Sequence, residues 1–261
     1  MTEPPEAALI RIRAATVRFG TQEVLRDLSL DIHRGETVAV IGESGCGKTC
    51  LLKMIVGLLI PNEGEIEIDG KSLKTMANRD LIALRLRVGY LFQSAALFDS
   101  INVFGNIAFG LRAKGGLTES EIAERVRMQL SDVGLSANVE TKMPAELSGG
   151  MRKRVGLARA LAIDPDMMLY DEPTTGLDPI MTETINNLIL QARKRRAMTS
   201  IVVTHELRTV FKVANRVVML SPLSRLTDGG TQIIYDGTPA GLKLAADPKV
   251  REFVEGYLTA S

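Results

Sequence analysis

The sequence predicts a layered α/β fold in which a mainly parallel sheet core is interrupted by a helical insert. Three observations carry this. Short apolar strands recur towards both ends of the chain, helical periodicity fills the middle, and a Gly-rich loop sits between a buried strand and an apolar helix. With 261 residues the chain can bury a sizeable core, as one large domain or as a core with an inserted subdomain.

The elements follow in order. Ile10-Arg11-Ile12-Arg13 alternates apolar and charged residues, and Leu28 to His33 alternates likewise, the pattern of half-buried strands. Thr37 to Ile41 is a short apolar strand, followed by the Gly-rich loop and a helix from about Lys48 to Leu58. Gly64 to Ile68 reads as a strand closed by the turn pair Asp69-Gly70, and Val88 to Phe92 as a further buried strand. From about Ser94 to Ile163 the pattern turns helical. Thr118-Glu119-Ser120-Glu121 forms a capping box, Ile122, Val126, Leu130 and Val133 follow at helical spacing, and a second helix is expected from Ser148 to Ile163. Strands resume at Met167 to Tyr170, Thr199 to Thr204 and Val217 to Leu220, with a helix from about Ile180 to Arg195 between the first two. The expected organisation is a single domain over residues 1–261. Its core covers about 8–93 and 164–237, its helical subdomain about 94–163, and its tail 238–261.

Lys and Arg number 32 against 31 Asp and Glu, so no broad nucleic-acid surface is expected. The apolar run Leu51 to Ile60 is interrupted by Lys53 and is too short to span a bilayer. Met1 to Ala8 is polar, with no charged-then-apolar signal segment, so the chain is expected to stay in the cytosol and to meet membranes through partners or its surface. Cys46 and Cys50 are the two cysteines; both are expected as reduced, small, buried or half-buried thiols, and they make no case for a zinc site.

Gly42-Glu-Ser-Gly-Cys-Gly-Lys48-Thr49 matches the phosphate-binding P-loop pattern. Glycines at 42, 45 and 47 let backbone N–H groups close on phosphate oxygens, and the following helix points its positive end at them. Lys48 can neutralise the β- and γ-phosphates, and the Thr49 hydroxyl can ligate Mg²⁺. Gly42, Glu43, Ser44, Gly45, Cys46, Gly47, Lys48, Thr49 and Cys50 are therefore the candidate phosphate-binding residues. Downstream, Met167-Met-Leu-Tyr-Asp171-Glu172 is a buried strand ending in two carboxylates. Asp171 can hold Mg²⁺, directly or through water, and Glu172 can polarise a water that attacks the γ-phosphate. Leu147-Ser-Gly-Gly150 opens a helix, where Ser148 is either a plain N-cap or part of an anion cup with the amides of Gly149 and Gly150.

This ordered set, with Gln93 after one strand and His205 after another, resembles the nucleotide-binding domains of ABC proteins from about Ile10 to Gly237. The resemblance implies a P-loop nucleotide-binding domain with a mixed sheet core and an inserted helical subdomain, acting as an ATP-hydrolysing subunit with ATP and Mg²⁺ as cofactors. It also implies that Phe19 stacks on adenine, that Gln93 reaches the Mg²⁺ and the attacking water, and that His205 contacts the γ-phosphate. Asp178, in Thr-Thr-Gly-Leu-Asp, matches the loop that crosses the dimer interface. Two chains would pack head to tail, with the P-loop of one facing the Leu147-to-Gly150 cup of the other. ATP is favoured over GTP because no Asn-Lys-x-Asp base-reading motif occurs.

Three stretches narrow the branch. Leu91 to Phe104, Met151 where many relatives have Gln, and Asp247 to Gly256 together look like the ATPases of Mla/Mce-type systems, which move phospholipids or other lipids between bacterial membranes. That implies a homodimer on integral-membrane permease subunits, an Mce-domain lipid-binding partner, and a place on the cytoplasmic face of the inner membrane. Leu97, Phe98, Ile101, Phe104 and Ile107 are either insert core or the lining of a groove for a permease helix. Lys194-Arg195-Arg196 is either a solvated helix end or an anionic-lipid contact, and the tail after Gly237 either a terminal helix on its own core or a clasp on the partner chain. The stretch from Ser221 to Thr231 is longer than relatives carry and is expected to be an extended hairpin loop. Rival readings are an importer subunit for polar amino acids or metal ions, and a soluble ABC ATPase of DNA repair or translation. The latter usually carries tandem cassettes or a long coiled-coil insert, and neither is found.

Overall fold

The structure, a computed structural model, describes residues 8–195, 198–226 and 230–259. Most of the expected signal-free N-terminus, Arg196 of the basic run, residues 227–229 of the long loop and the last two residues lie outside the described residues. In chain order the elements begin with β1 (Ile10–Phe19), β2 (Gln22–Ile32), β3 (Thr37–Gly42), α1 (Lys48–Ile55), β4 (Glu63–Ile68), β5 (Lys71–Ser72), α2 (Asn78–Arg85) and β6 (Val88–Leu91). Next come α3 (Val103–Lys114), α4 (Glu119–Asp132), α5 (Gly149–Ala162), β7 (Met167–Asp171), α6 (Pro179–Arg195) and β8 (Thr199–Val203). The chain ends with α7 (Leu207–Val213), β9 (Arg216–Leu220), β10 (Ile233–Gly237), α8 (Pro239–Leu242) and α9 (Pro248–Thr259). Two compact units result, residues 1–82 with 199–261, and residues 83–198.

The first unit holds two sheets. The expected mixture of strand directions is divided between the two: β1, β2, β4 and β5 form an antiparallel sheet in the order β2-β1-β4-β5, separate from the parallel strands. The cause is local: β1 and β2 are separated only by Gly20 and Thr21, with Gly20 at φ 60, and a two-residue connection can join only antiparallel strands. In the second sheet β3 lies between β8 and β9, parallel to both, and β10 closes the far edge of β9 antiparallel. β3 is buried along its whole length, as a central parallel strand must be. Its Ala39 and Ile41 share a core cluster with Val217 and Met219 of β9, Leu207 and Val210 of α7, and Val250 and Val254 of α9. The terminal helix thus packs on its own core.

The second unit joins the parallel pair β6 and β7 to helices α3 to α6. The capping box of α4 forms as expected: the Glu121 carboxylate accepts from the Thr118 amide at 2.7 Å, and the Thr118 hydroxyl accepts from the Glu121 amide at 3.3 Å. Helix α3 lies within the stretch expected to be helical, but the sequence reading gives it no bounds, and Gly105 and Gly110 weaken its local signal. Packing explains Gly110, where a Cβ would stand 2.7 Å from the Ile163 side chain. Helices α2 and α7 are additions, and α1 ends at Ile55 rather than Leu58, followed by Gly57 at φ 63. Among the described residues no helix is long and apolar enough to cross a membrane.

Candidate nucleotide site

The expected phosphate-binding residues run from the end of β3 into α1, in the first unit. Gly42, Gly45 and Gly47 have φ values of 143, 82 and 98. Two of these glycines also answer to crowding: a Cβ on Gly42 would come within 2.2 Å of the Leu220 carbonyl oxygen, and one on Gly47 within 2.3 Å of the Leu25 side chain. At Gly42 the obstacle is backbone that cannot yield, and both positions hold a φ that side-chain-bearing residues rarely adopt, so glycine is what lets the loop curl so tightly. Lys48 is buried and its ammonium donates to the carbonyls of Gly42 at 2.8 Å and Glu43 at 2.9 Å, spanning the loop from which it would meet an anion. Ser44 and Gly45 are exposed, while Thr49 and Cys50 are half-buried in the first turn of α1. Cys46 is fully buried, and burial pushes its thiol above the ordinary range, as it does that of Cys50. Neither thiol is poised as a nucleophile.

His205 follows β8 and is exposed. It shares an open cleft with Glu43, Arg225, Lys249, Glu252 and Phe253 of the same unit. Phe19 ends β1 with 54 % of its surface exposed, leaving a ring face free to stack.

The remaining candidates lie in the second unit. Asp171 ends β7 and is buried, and the Tyr90 hydroxyl donates to its carboxylate at 3.4 Å. Burial, reinforced by that carboxylate, holds the Tyr90 phenol well above its usual range. Glu172 adopts φ 49, a left-handed backbone that a side-chain-bearing residue seldom keeps without support. Support comes from the buried Lys153 of α5, whose ammonium donates to the Glu172 carbonyl at 2.8 Å, and from the Thr175 hydroxyl, which donates to the Glu172 carboxylate at 2.9 Å. Ser148 caps α5, its hydroxyl accepting from the Met151 amide at 3.2 Å, and leaves Gly149 exposed and Gly150 half-buried at the helix start. Asp178 caps α6 in the same manner, accepting from the Met181 amide at 2.8 Å.

Gln93 is exposed in the loop after β6. The loop turns through Ala95 and Ala96, both at positive φ, and Arg159 of α5 fixes it by donating to both carbonyls at 2.8 Å. The same guanidinium lies 5.8 Å from the Phe98 ring centroid, and Phe98 packs on Phe109 at 4.8 Å. Phe98, Ile101, Gly105, Phe109 and Arg112 line an open apolar cleft. Of the residues left open between core and groove, Ile107 is buried, Leu97, Ile101 and Phe104 are half-buried, and Phe98 is exposed. Beneath the cleft, buried Asn106 holds the loop by accepting from the Phe98 amide at 2.8 Å and donating to the Ile101 carbonyl at 3.0 Å.

Sequence reasoning gave no role of their own to Tyr90, Lys153, Arg159 and Gln232. Lys153 and Arg159 fall in the Met151-to-Arg159 stretch that resembles the Mla/Mce-type ATPases, but what each of the four side chains touches shows only in the fold. Among the described residues no cluster of three His, Cys, Asp or Glu side chains could hold a metal ion. The Thr49 hydroxyl in the first unit and, in the second, the Gln93 amide and the buried Asp171 carboxylate are each oxygen donors of the hard-ligand kind that suits Mg²⁺.

Comparison with known proteins places these motifs in context. The model of the ABC transporter family matches residues 25–175. The intermembrane phospholipid transport system ATP-binding protein MlaF of Haemophilus influenzae is 40 % identical over 248 residues, spanning 95 % of this chain and 90 % of that one. The probable ribonucleotide transport ATP-binding protein mkl of Mycobacterium leprae is 38 % identical over 252 residues, spanning 97 % and 70 %. Among solved structures, the ATP-binding cassette MJ0796, a dimer in a post-hydrolysis state bound to ADP and Pi, superposes with a TM-score of 0.78 at 28 % identity, covering 88 % of this chain and 98 % of that one.

Proposed function

Since this chain belongs to the ABC transporter family as an ATP-binding, ATP-hydrolysing subunit, we propose that it works as a homodimer that powers lipid movement by a membrane permease. One observation carries the nucleotide half of this reading: the Gly42-to-Thr49 loop, whose glycines sit at positive φ and whose buried Lys48 spans it. In this reading the backbone of Gly42 to Cys50 cradles the phosphates, Lys48 neutralises them, and Phe19 stacks on the base. Glu172 accepts a proton from the attacking water, Gln93 orients that water, and His205 contacts the γ-phosphate. Thr49, Gln93 and Asp171 would hold Mg²⁺, which supplies charge neutralisation when bound. Ser148, Gly149, Gly150 and Asp178 serve the site of the opposite chain.

The lipid half rests on the likeness to the phospholipid-transport ATPase over nearly the whole chain, together with the Leu91-to-Phe104, Met151 and Asp247-to-Gly256 stretches. We further take residues 94–163 as the helical subdomain of a single cassette, and the Phe98–Phe109 cleft as the seat of a permease helix. The subunit would then sit peripherally on the cytoplasmic face of the inner membrane, with an Mce-domain protein as a further partner.

The ribonucleotide name of the mycobacterial relative supports a second reading, transport of a polar solute through the same motor. Reconstitution of the complex in liposomes separates the two. Lipid transport requires ATP-dependent movement of labelled phospholipid that disappears with Glu172→Gln. A complex that moves a soluble nucleotide and leaves phospholipid in place would select the second reading.

A further inference from the structure

We propose that Gln232 is a positioning residue for the phosphate-binding loop, and that the β9–β10 connection carrying it clamps that loop in its working shape. The inference rests on the reading of Gly42 to Thr49 as the phosphate site. Gln232 is 2 % exposed and every polar group of its amide is engaged. Its Nε2 donates to the Cys46 carbonyl and to the Val24 carbonyl, each at 3.1 Å, and its Oε1 accepts from the Arg26 amide at 3.1 Å. Arg26 stands at an irregularity of the β1–β2 ladder, between the Val17–Leu25 and Ala15–Leu28 pairs, where regular strand bonding lapses. One side chain thereby ties the middle of the phosphate loop to the bulge of β2.

The consequence follows from peptide geometry. In a trans peptide the C=O and the next N–H point in opposite directions. Drawing the Cys46 carbonyl towards Gln232 turns the Gly47 amide away from it, and that amide is one of those expected to meet phosphate. The loop's own bonding is slight here, with a Cys46-to-Glu43 backbone bond of 3.4 Å. Gln232 therefore sets a peptide plane that the loop alone holds weakly.

Two further contacts reach the loop from the same side. The Leu220 carbonyl, at the end of β9, fills the space where Gly42 lacks a Cβ, and Arg225 of the connection pairs with the Glu43 carboxylate at 2.7 Å. Arg225 in turn meets α9, where Glu252 lies 3.6 Å from its guanidinium and the Lys249 ammonium donates to its carbonyl at 2.6 Å. This outer pairing is half-exposed and screened by solvent, so Gln232 is the dominant contact and Arg225 the lesser one.

The test uses the full chain and Gln232→Leu, which keeps the volume and removes the amide. Calorimetric titration should show ATP affinity weakened about tenfold, the scale of a lost buried hydrogen bond. In the assembled complex KM for ATP should rise by more than kcat falls. In a Cys50→Ser background, alkylation of Cys46 should accelerate severalfold, because the released loop exposes a buried thiol. Lower thermal stability with unchanged ATP affinity and unchanged Cys46 protection would make Gln232 merely structural and overturn the proposal. Should Gln232→Leu fail to fold, hydrogen exchange in the unmodified chain decides. ATP binding should slow exchange of the Arg26 amide, and an unaltered rate would overturn the proposal. Lys48→Ala serves as the reference: if it leaves ATP affinity intact, the phosphate-loop reading fails. A null result for Gln232 beside a loss for Lys48→Ala refutes the clamp alone.

Discussion

The Lys153 ammonium donates to the Glu172 carbonyl at 2.8 Å, so the residue proposed to activate water is held by its backbone from the helix that Ser148 caps. The bond matters because Glu172 sits at φ 49, a conformation that costs about 1–3 kcal/mol for a residue with a side chain. With its backbone fixed, the carboxylate is aimed without needing a long rigid side chain.

Replacing Lys153 by Met keeps the stem and removes the donor. Turnover should fall about tenfold, consistent with the loss of one charge-assisted hydrogen bond. ATP affinity should stay within about threefold, since the phosphate loop is untouched. Steady-state hydrolysis and calorimetric titration of the same preparation check this, and undiminished turnover would remove Lys153 from any part in the chemistry.

A mixing experiment addresses the proposed sharing of sites between chains. Combining Lys48→Ala chains with Ser148→Arg chains yields dimers with one site doubly damaged and one intact. Hydrolysis above that of either variant alone is expected. Crosslinks between cysteines introduced at positions 45 and 149 that formed solely within one chain would contradict the arrangement.

The apolar cleft separates assembly from folding. Phe98 is 43 % exposed, so Phe98→Asp should leave ATP binding and thermal stability nearly unchanged while reducing co-purification with the permease. Asn106 is wholly buried, and Asn106→Leu strands the Phe98 amide and the Ile101 carbonyl, so it should lower stability by about 1–3 kcal/mol. Thermal melts beside pull-down distinguish the two; a Phe98→Asp subunit that unfolds would place that ring in the core instead.

The parts legible in the sequence were those whose chemistry is written locally. The Gly42-to-Thr49 loop, the apolar strand before Asp171 and the Thr118 capping box each announce themselves within a few residues, and the structure forms the strand, helix and cap around them. Helix α3 had no legible bounds because Gly105 and Gly110 weaken its local signal, while the reason for Gly110 lies at Ile163. The separate antiparallel sheet was obscured because alternation identifies a strand without naming its neighbour. Gln232 was beyond reach altogether: its Cys46 partner is 186 positions away, and nothing near Gln232 distinguishes it from a surface residue of a hairpin. Lys153 carries no local sign of its task, which shows only in its burial and its bond to the Glu172 carbonyl.

Arg159 gives the cleft a mechanical meaning. It binds the Ala95 and Ala96 carbonyls of the loop that runs from Gln93 to Phe98, and it belongs to the unbroken helix that Ser148 caps. A helix is stiff along its axis, so a displacement imposed on that loop would travel as a stroke along α5 over about 16 Å, at 1.5 Å per residue, before reaching the serine at its tip. A partner seated on the Phe98–Phe109 rings would in this way hold the handle of a push-rod, and force, rather than any shared ligand, would be what passes between membrane cargo and ATP.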